Sequence, residues 1–273
     1  MKNNLVQRAI TGFLFVSIII SAILIHPLAF GFVFVVITAL AVIEFNDLVK
    51  SKFDVQLNKY LAAGAAILLF VSMHYFAAEK FEPRIFAPYF LLICCGFILE
   101  LFRKKENPVM NWAMLVLGQT YVALPFALLN MIAFIKGEYR PILILAFFII
   151  IWVYDSGAYL VGITFGKHRL FERISPKKSW EGFFGGLLFA LVGGYIFSFF
   201  DSTLSINEWL IFSFIIVIFG TFGDLSESLF KRTINVKDSG NILPGHGGIL
   251  DRFDSIFFAT IAICIYLQLL FTI

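Results

Sequence analysis

The chain has 273 residues, of which 60% are hydrophobic and 14% charged, against about 45–50% and about 25% in soluble domains. A soluble protein of this length has no interior large enough to hide that much apolar surface, which excludes a soluble enzyme, a disordered chain and a secreted disulfide scaffold. The 21 basic and 18 acidic residues leave a net charge of +3, too small a surplus for a nucleic-acid partner, so the lipid bilayer is the solvent of most of this chain.

At the N-terminus, Lys2 and Arg8 precede an apolar run with no small-residue cleavage site after it, because His26-Pro27 leads straight into another apolar run. This reads as a retained signal anchor. A spanning helix needs about 20 apolar residues. Nine runs qualify: 9–25, 28–44, 60–78, 85–102, 111–135, 141–165, 182–200, 209–230 and 255–273. The first two form a tight helical hairpin. From Glu44 to Tyr60, Phe45, Leu48, Val49, Phe53, Leu57 and Tyr60 share one helical face, which predicts an amphipathic helix lying in the interface. Cys94, Cys95 and Cys264 sit inside apolar runs without metal-ligand spacing and are expected to be small core residues. Trp112, Trp180 and Trp209 lie at span ends and suit an interfacial belt.

The charges order these spans. All but four of the 21 basic residues fall in alternate connecting segments, and the exceptions are Lys80, Arg84, Lys136 and Arg140. The positive-inside rule then places the N-terminus and the two largest loops, 166–181 and 231–254, in the cytoplasm. The expected architecture is all-α, a polytopic protein of about nine transmembrane helices in the cell membrane. No internal repeat is visible, and residues 1–273 read as a single membrane domain, with 1–140 as scaffold and 141–273 carrying the chemistry.

Acidic residues inside spans are functional candidates by default. Glu44 and Glu100 lie at span ends, where they read as boundary residues reaching the interface. Asp155 and Asp224 are deeper. Asp224, Glu227, Ser228 and Lys231 share a helix face, next to Gly220 and Gly223, which admit a neighbouring helix. The loop that follows carries Lys237, Asp238, Gly240, Gly245, His246, Gly247 and Gly248, glycines that permit close backbone approach to a ligand. It feeds a helix whose first turn places Asp251 and Asp254 three apart on one face, beside Arg252. Asp224, Glu227, Asp251 and Asp254 together make an oxygen-rich set suited to Mg²⁺. On the other loop, Lys177, Lys178 and Ser179 precede a helix start rich in glycine (Gly182, Gly185, Gly186), a pattern that offers cations and N–H donors to phosphate. Carboxylates and lysines on one side of the membrane point to metal-assisted chemistry on a polyphosphate.

The string Ser228-x-x-Lys231-Arg232-x4-Lys237-Asp238-x-Gly240-x3-Pro244-x-His246-Gly247-Gly248-x2-Asp251-Arg252-x-Asp254, together with Ser175-Pro176-Lys177-Lys178-Ser179-Trp180-Glu181-Gly182, resembles the signature of the phosphatidate cytidylyltransferase (CDP-diacylglycerol synthase) family. Ser179 stands where that family usually has threonine, and the hydroxyl is kept. The resemblance covers Asp155 to Asp254; the first 140 residues match it only as a set of spans. It implies a membrane enzyme, dimeric, that condenses CTP with phosphatidic acid, using Mg²⁺ and leaving a second, monovalent ion as an open addition. Asp224, Asp251, Lys231 and Arg252 would be catalytic. Lys177, Lys178, Ser179, Ser228, Arg232, Lys237, Asp238, His246, Gly247, Gly248 and Asp155 would contact substrate. His246 is read equally as a donor to pyrophosphate or as an anchor of its loop. Two other activities fit parts of the pattern: a CTP-dependent lipid kinase, and a cation-coupled transporter using the intramembrane acids.

Overall fold

A computed structural model describes residues 2–53, 55–78, 82–104, 106–240, 242 and 247–271. The protein is 79% helical. In chain order the elements are α1 (Lys2–Ile25), α2 (Pro27–Phe53), α3 (Lys59–Ala78), a 3₁₀ turn (Pro83–Phe86), α4 (Ala87–Phe102), α5 (Pro108–Leu117), a π segment (Gly118–Ala123) and α6 (Leu124–Ala133). There follow β1 (Phe134–Ile135), β2 (Glu138–Tyr139), α7 (Pro141–Phe165), β3 (Arg169–Phe171), β4 (Ser175–Ser179), α8 (Trp180–Phe197), α9 (Ile206–Thr233), α10 (Leu250–Phe253) and α11 (Ile256–Phe271). Among the described residues eight helices are long and apolar enough to cross a membrane, each overlapping a predicted run from 28–44 onward. The run at 9–25 is helical too, with an apolar stretch of Ile10–Ile25 that is shorter than those spans.

Proline sets several starts. Pro27, Pro83, Pro108 and Pro141 open helical segments, where a missing N–H costs nothing. Leu28 N donates to His26 Nδ1 at 3.1 Å, closing the α1–α2 hairpin. Inside the long span from Pro108, Pro125 can donate nothing to the preceding turn; the helix widens there into the π segment, with Leu124 N bonded to Gln119 O, five residues back. A two-residue turn at Lys136 and Gly137, both with positive φ, closes the β1–β2 hairpin. Tyr139 Oη then donates to Ile23 O at 2.8 Å, and burial holds its phenol well above the ordinary range.

The helices cluster in two compact units, one of residues 1–139 with 234–253, the other of 140–233 with 254–273. The division falls near residue 140, and residues 234–253 belong with the first unit. Phe30, Phe34, Phe45, Phe70 and Phe126 fill the interior of the first unit; Phe147, Phe148, Trp209, Phe212 and Phe257 fill that of the second.

Three expectations are corrected. The segment from Glu44 is no separate interfacial helix, because α2 runs unbroken to Phe53 and buries Phe45, Leu48 and Val49. Trp209 is fully buried, stacked on Phe197, with its indole N–H on Asp201 O at 3.1 Å, so it belongs to the core and not to an interfacial belt. Cys264 is buried as expected, but Cys94 and Cys95 are exposed on α4.

The glycines opening α8 serve packing. A Cβ on Gly186 would lie 2.7 Å from the backbone oxygen of Tyr154 and 2.9 Å from Ala158 Cβ, so only glycine lets α7 and α8 come this close. Gly186→Val is expected to force the two helices apart and destabilise the fold by about 1–3 kcal/mol, read as a lowered midpoint of thermal unfolding in detergent; an unchanged midpoint would refute this account of the contact.

Candidate active site

In the second unit, β3 and β4 form a hairpin that presents the paired lysines. Its register pairs Arg169 with Ser179 and Phe171 with Ser175. Glu181, in the first turn of α8, clasps the hairpin: it accepts from Lys167 N at 3.1 Å, from His168 N at 3.2 Å and bonds His168 Nδ1 at 2.6 Å. Ser179 Oγ accepts from Gly182 N at 3.1 Å, the hydroxyl capping α8. Ser179 is buried, and besides capping α8 it lines the cleft described below. Lys177 is exposed, whereas Lys178 is half-buried and ion-paired with Asp224 Oδ2 on α9.

Asp224 is the centre of this half. Ser228 Oγ, one turn on, donates to Asp224 Oδ1 at 3.2 Å. Gly223 packs under the break between α10 and α11: a Cβ there would meet Asp254 O at 2.6 Å, which bears out the close approach predicted for this helix face. Asp155, Asp224 and Asp254 lie within coulombic reach of one another and of Lys178. A cleft of about 270 Å³ opens here, lined by the polar Asp155, Lys177, Lys178, Ser179 and Asp224 together with Ala158, Tyr159, Leu170 and Phe183. Tyr154 backs it. Because Thr221 Oγ1 donates to Val217 O, Tyr154 Oη is the donor in their 2.6 Å bond. The pair Lys231–Glu227, at 3.2 Å, forms the helical ion pair that its spacing allows, with Glu227 buried.

In the first unit, Ser239 and the residues Gly248–Leu250 bond two carboxylates. Asp251 Oδ2 accepts from Ser239 N and Gly248 N, both at 2.9 Å. Gly247 takes φ +88°, which brings Gly248 round to that oxygen. Glu44, 4% exposed, accepts from Ser239 Oγ, from Ile249 N at 2.8 Å and from Leu250 N at 3.1 Å. A Cβ on Gly248 would fall on Glu44 Oε1, so the glycine yields to an internal carboxylate where the sequence suggested a ligand. Glu44 is therefore no boundary residue. Neither is Glu100, which is 6% exposed and bonded by Arg103 Nη1 at 2.5 Å and Asn111 Nδ2 at 2.8 Å.

The remaining predicted residues divide simply. Arg232, Lys237, Asp238 and Arg252 are exposed. His246, with Pro244 and Gly245, lies outside the described residues. Asp251 and Asp254 do not share one helical turn, because the chain breaks at Asp254–Ser255, where Ser255 N turns back to Asp254 Oδ1 at 2.7 Å. Among the described residues no three His, Cys, Asp or Glu side chains are gathered to hold a metal. The donors present are hard carboxylate oxygens, and Mg²⁺ is commonly held by one or two of these with phosphate oxygens and water completing the shell. Asp224 and Asp254 fit that mode, with Lys178 beside Asp224; Glu227 is buried in its pair with Lys231.

A profile of the Cytidylyltransferase family matches residues 6–270. The phosphatidate cytidylyltransferase of Staphylococcus haemolyticus is 43% identical over 171 residues, which cover 61% of this chain and 64% of that protein. The phosphatidate cytidylyltransferase of Haemophilus influenzae is 49% identical over 119 residues, 42% of this chain and 41% of its own length. The match thus covers less than two thirds of either relative.

Proposed function

The chain belongs to the cytidylyltransferase family, and from that premise we propose that it condenses CTP with phosphatidic acid into CDP-diacylglycerol and pyrophosphate. The observation that carries this reading is the Lys178–Asp224 pair at a cleft lined by both charged and apolar side chains, which suits an anionic headgroup on an acyl chain. A phosphate monoester has a second pKa near 6. The lipid phosphate therefore arrives largely ionised, and its oxygen attacks the α-phosphorus of CTP without a general base while pyrophosphate leaves.

The work left to the protein is positioning and charge. Lys177 and Lys178 meet phosphate oxygens, Lys178 exchanging part of its pairing with Asp224 for the incoming anion. Lys231 and Arg232 are further cations on α9, and Lys237 and Arg252 flank the glycine loop, which we assign to the nucleotide. Asp224 and Asp254 would hold Mg²⁺, which when bound neutralises charge on the phosphates. The basic loops face the cytoplasm in this reading, on the strength of the charge asymmetry, so CTP enters from water and phosphatidate from the bilayer of the cell membrane. A homodimer is part of the same reading; what supports it is α4, whose span is 11% buried within the chain and leaves an apolar face for lipid or a second copy.

The test is incubation of the purified chain with phosphatidic acid, α-labelled CTP and Mg²⁺. Label is expected in lipid, with one pyrophosphate released per lipid formed. Release of CDP with no label in lipid identifies a lipid kinase instead, and cation uptake into proteoliposomes without nucleotide identifies a transporter. Chelation with EDTA is expected to abolish incorporation and added Mg²⁺ to restore it; full turnover in EDTA would remove the metal from the proposal.

A further inference from the structure

Glu44 is the most deeply committed carboxylate in the first unit, and the reaction just proposed gives it no task. It sits on α2 beside Phe45, which is fully buried against the π segment: a Cβ on Gly118 would lie 3.1 Å from the Phe45 ring. Gln119, in the same segment, donates to Ala62 O at 2.9 Å. The carboxylate thus projects from a braced stretch of helix. Its acceptors are filled by groups 195 to 206 residues away in sequence, Ser239 Oγ before the glycines 240–248 and Ile249 N and Leu250 N after them. Ser239 continues the chain of bonds: its hydroxyl also accepts from Asp251 N at 3.3 Å, while its own N–H holds Asp251 Oδ2.

We propose that Glu44 is a positioning residue for nucleotide binding, a fixed anionic post that ties Ser239 to Ile249 and Leu250 so that Asp251 keeps one arrangement. This rests on the cytidylyltransferase reading above. Ser239 and Gly247–Ile249 lie in sequence between the spans Ile206–Thr233 and Leu250–Phe271, outside both, on the side from which CTP arrives in that reading. Three donors converge on two carboxylate oxygens, an arrangement a neutral amide cannot copy, because its NH₂ group would face another donor.

The experiment uses the full chain in proteoliposomes, comparing wild type with Glu44→Gln, Glu44→Asp and Ser239→Ala. Glu44→Gln is expected to raise the KM for CTP about tenfold while the KM for phosphatidate stays within about twofold. Glu44→Asp, which keeps the charge, recovers part of this. Amide hydrogen exchange over 239–250 is expected to quicken in Glu44→Gln, with exchange in α3 and α6 unchanged. A lower maximal rate at unaltered KM for CTP, the mark of fewer folded molecules, overturns the proposal, as does unaltered exchange in the loop. Should Glu44→Gln not fold, Ser239→Ala removes only one hydroxyl and is read by the same two measurements, with about a threefold rise in KM expected. A wild-type chain that labels no lipid defeats the cytidylyltransferase reading, while the exchange measurement still decides the role of Glu44.

Discussion

Asp224→Asn is expected to lower turnover by about a thousandfold while the chain still inserts and unfolds at a near wild-type temperature. Asparagine keeps the size of the side chain and one oxygen for Ser228, so the local packing of α9 is preserved. What it removes is a charge, and that charge has two partners to account for. One is Lys178, half-buried and paired with it; the other is the metal assigned to Asp224 and Asp254. The two roles separate in a double-variant cycle. If Asp224 served only to neutralise Lys178, then Lys178→Met combined with Asp224→Asn would be no worse than Lys178→Met alone. If it holds Mg²⁺, the double variant stays as slow as Asp224→Asn. The second outcome is expected, and turnover of Asp224→Asn within about tenfold of wild type would end the assignment.

The fold was legible in the sequence wherever one physical signal dominated. Span positions follow from apolar length alone, and proline at the start of four helical segments sharpens their edges. The helix face from Asp224 to Lys231 was legible because its pairs, Asp224–Ser228 and Glu227–Lys231, are local, each four residues apart. Glu44 was not. Its partners are 195 or more residues away, and an acid near the end of an apolar run looks the same whether it reaches water or anchors a loop. A hint was present, since no lysine or arginine stands three or four residues from Glu44 to pair with it. Glu181 was hidden for a different reason: an acid in a first helical turn is explained by the helix dipole, which conceals its grip on His168. Glycines misled in the same way. A run of them permits close approach, but the sequence does not say of what, and here the neighbours are the backbone of α7 for Gly186 and the Glu44 carboxylate for Gly248.

Asp251→Asn is the companion test, and its outcome separates holding from chemistry. The two amides on Asp251 Oδ2, from Ser239 and Gly248, are both donors. They select the rotamer of asparagine that offers its oxygen, so both bonds are kept and amide exchange at Ser239 and Gly248 is expected to match wild type. Asp251→Ala loses both bonds and loosens the loop. If the carboxylate acted only as a fastener, Asp251→Asn would turn over nearly as fast as wild type and Asp251→Ala would not. The expected result is that both fall by about a hundredfold, because the reaction gathers the charges of a triphosphate and a lipid phosphate and the anion at Asp251 helps to place their counter-ions. Glu44 behaves in the opposite sense, since there the amide already fails to satisfy three donors and the defect appears as weaker CTP binding. Measured side by side, slow Asp251→Asn with an ordered loop and weak-binding Glu44→Gln with a loosened one distinguish the anion that takes part in the reaction from the anion that holds the loop in place.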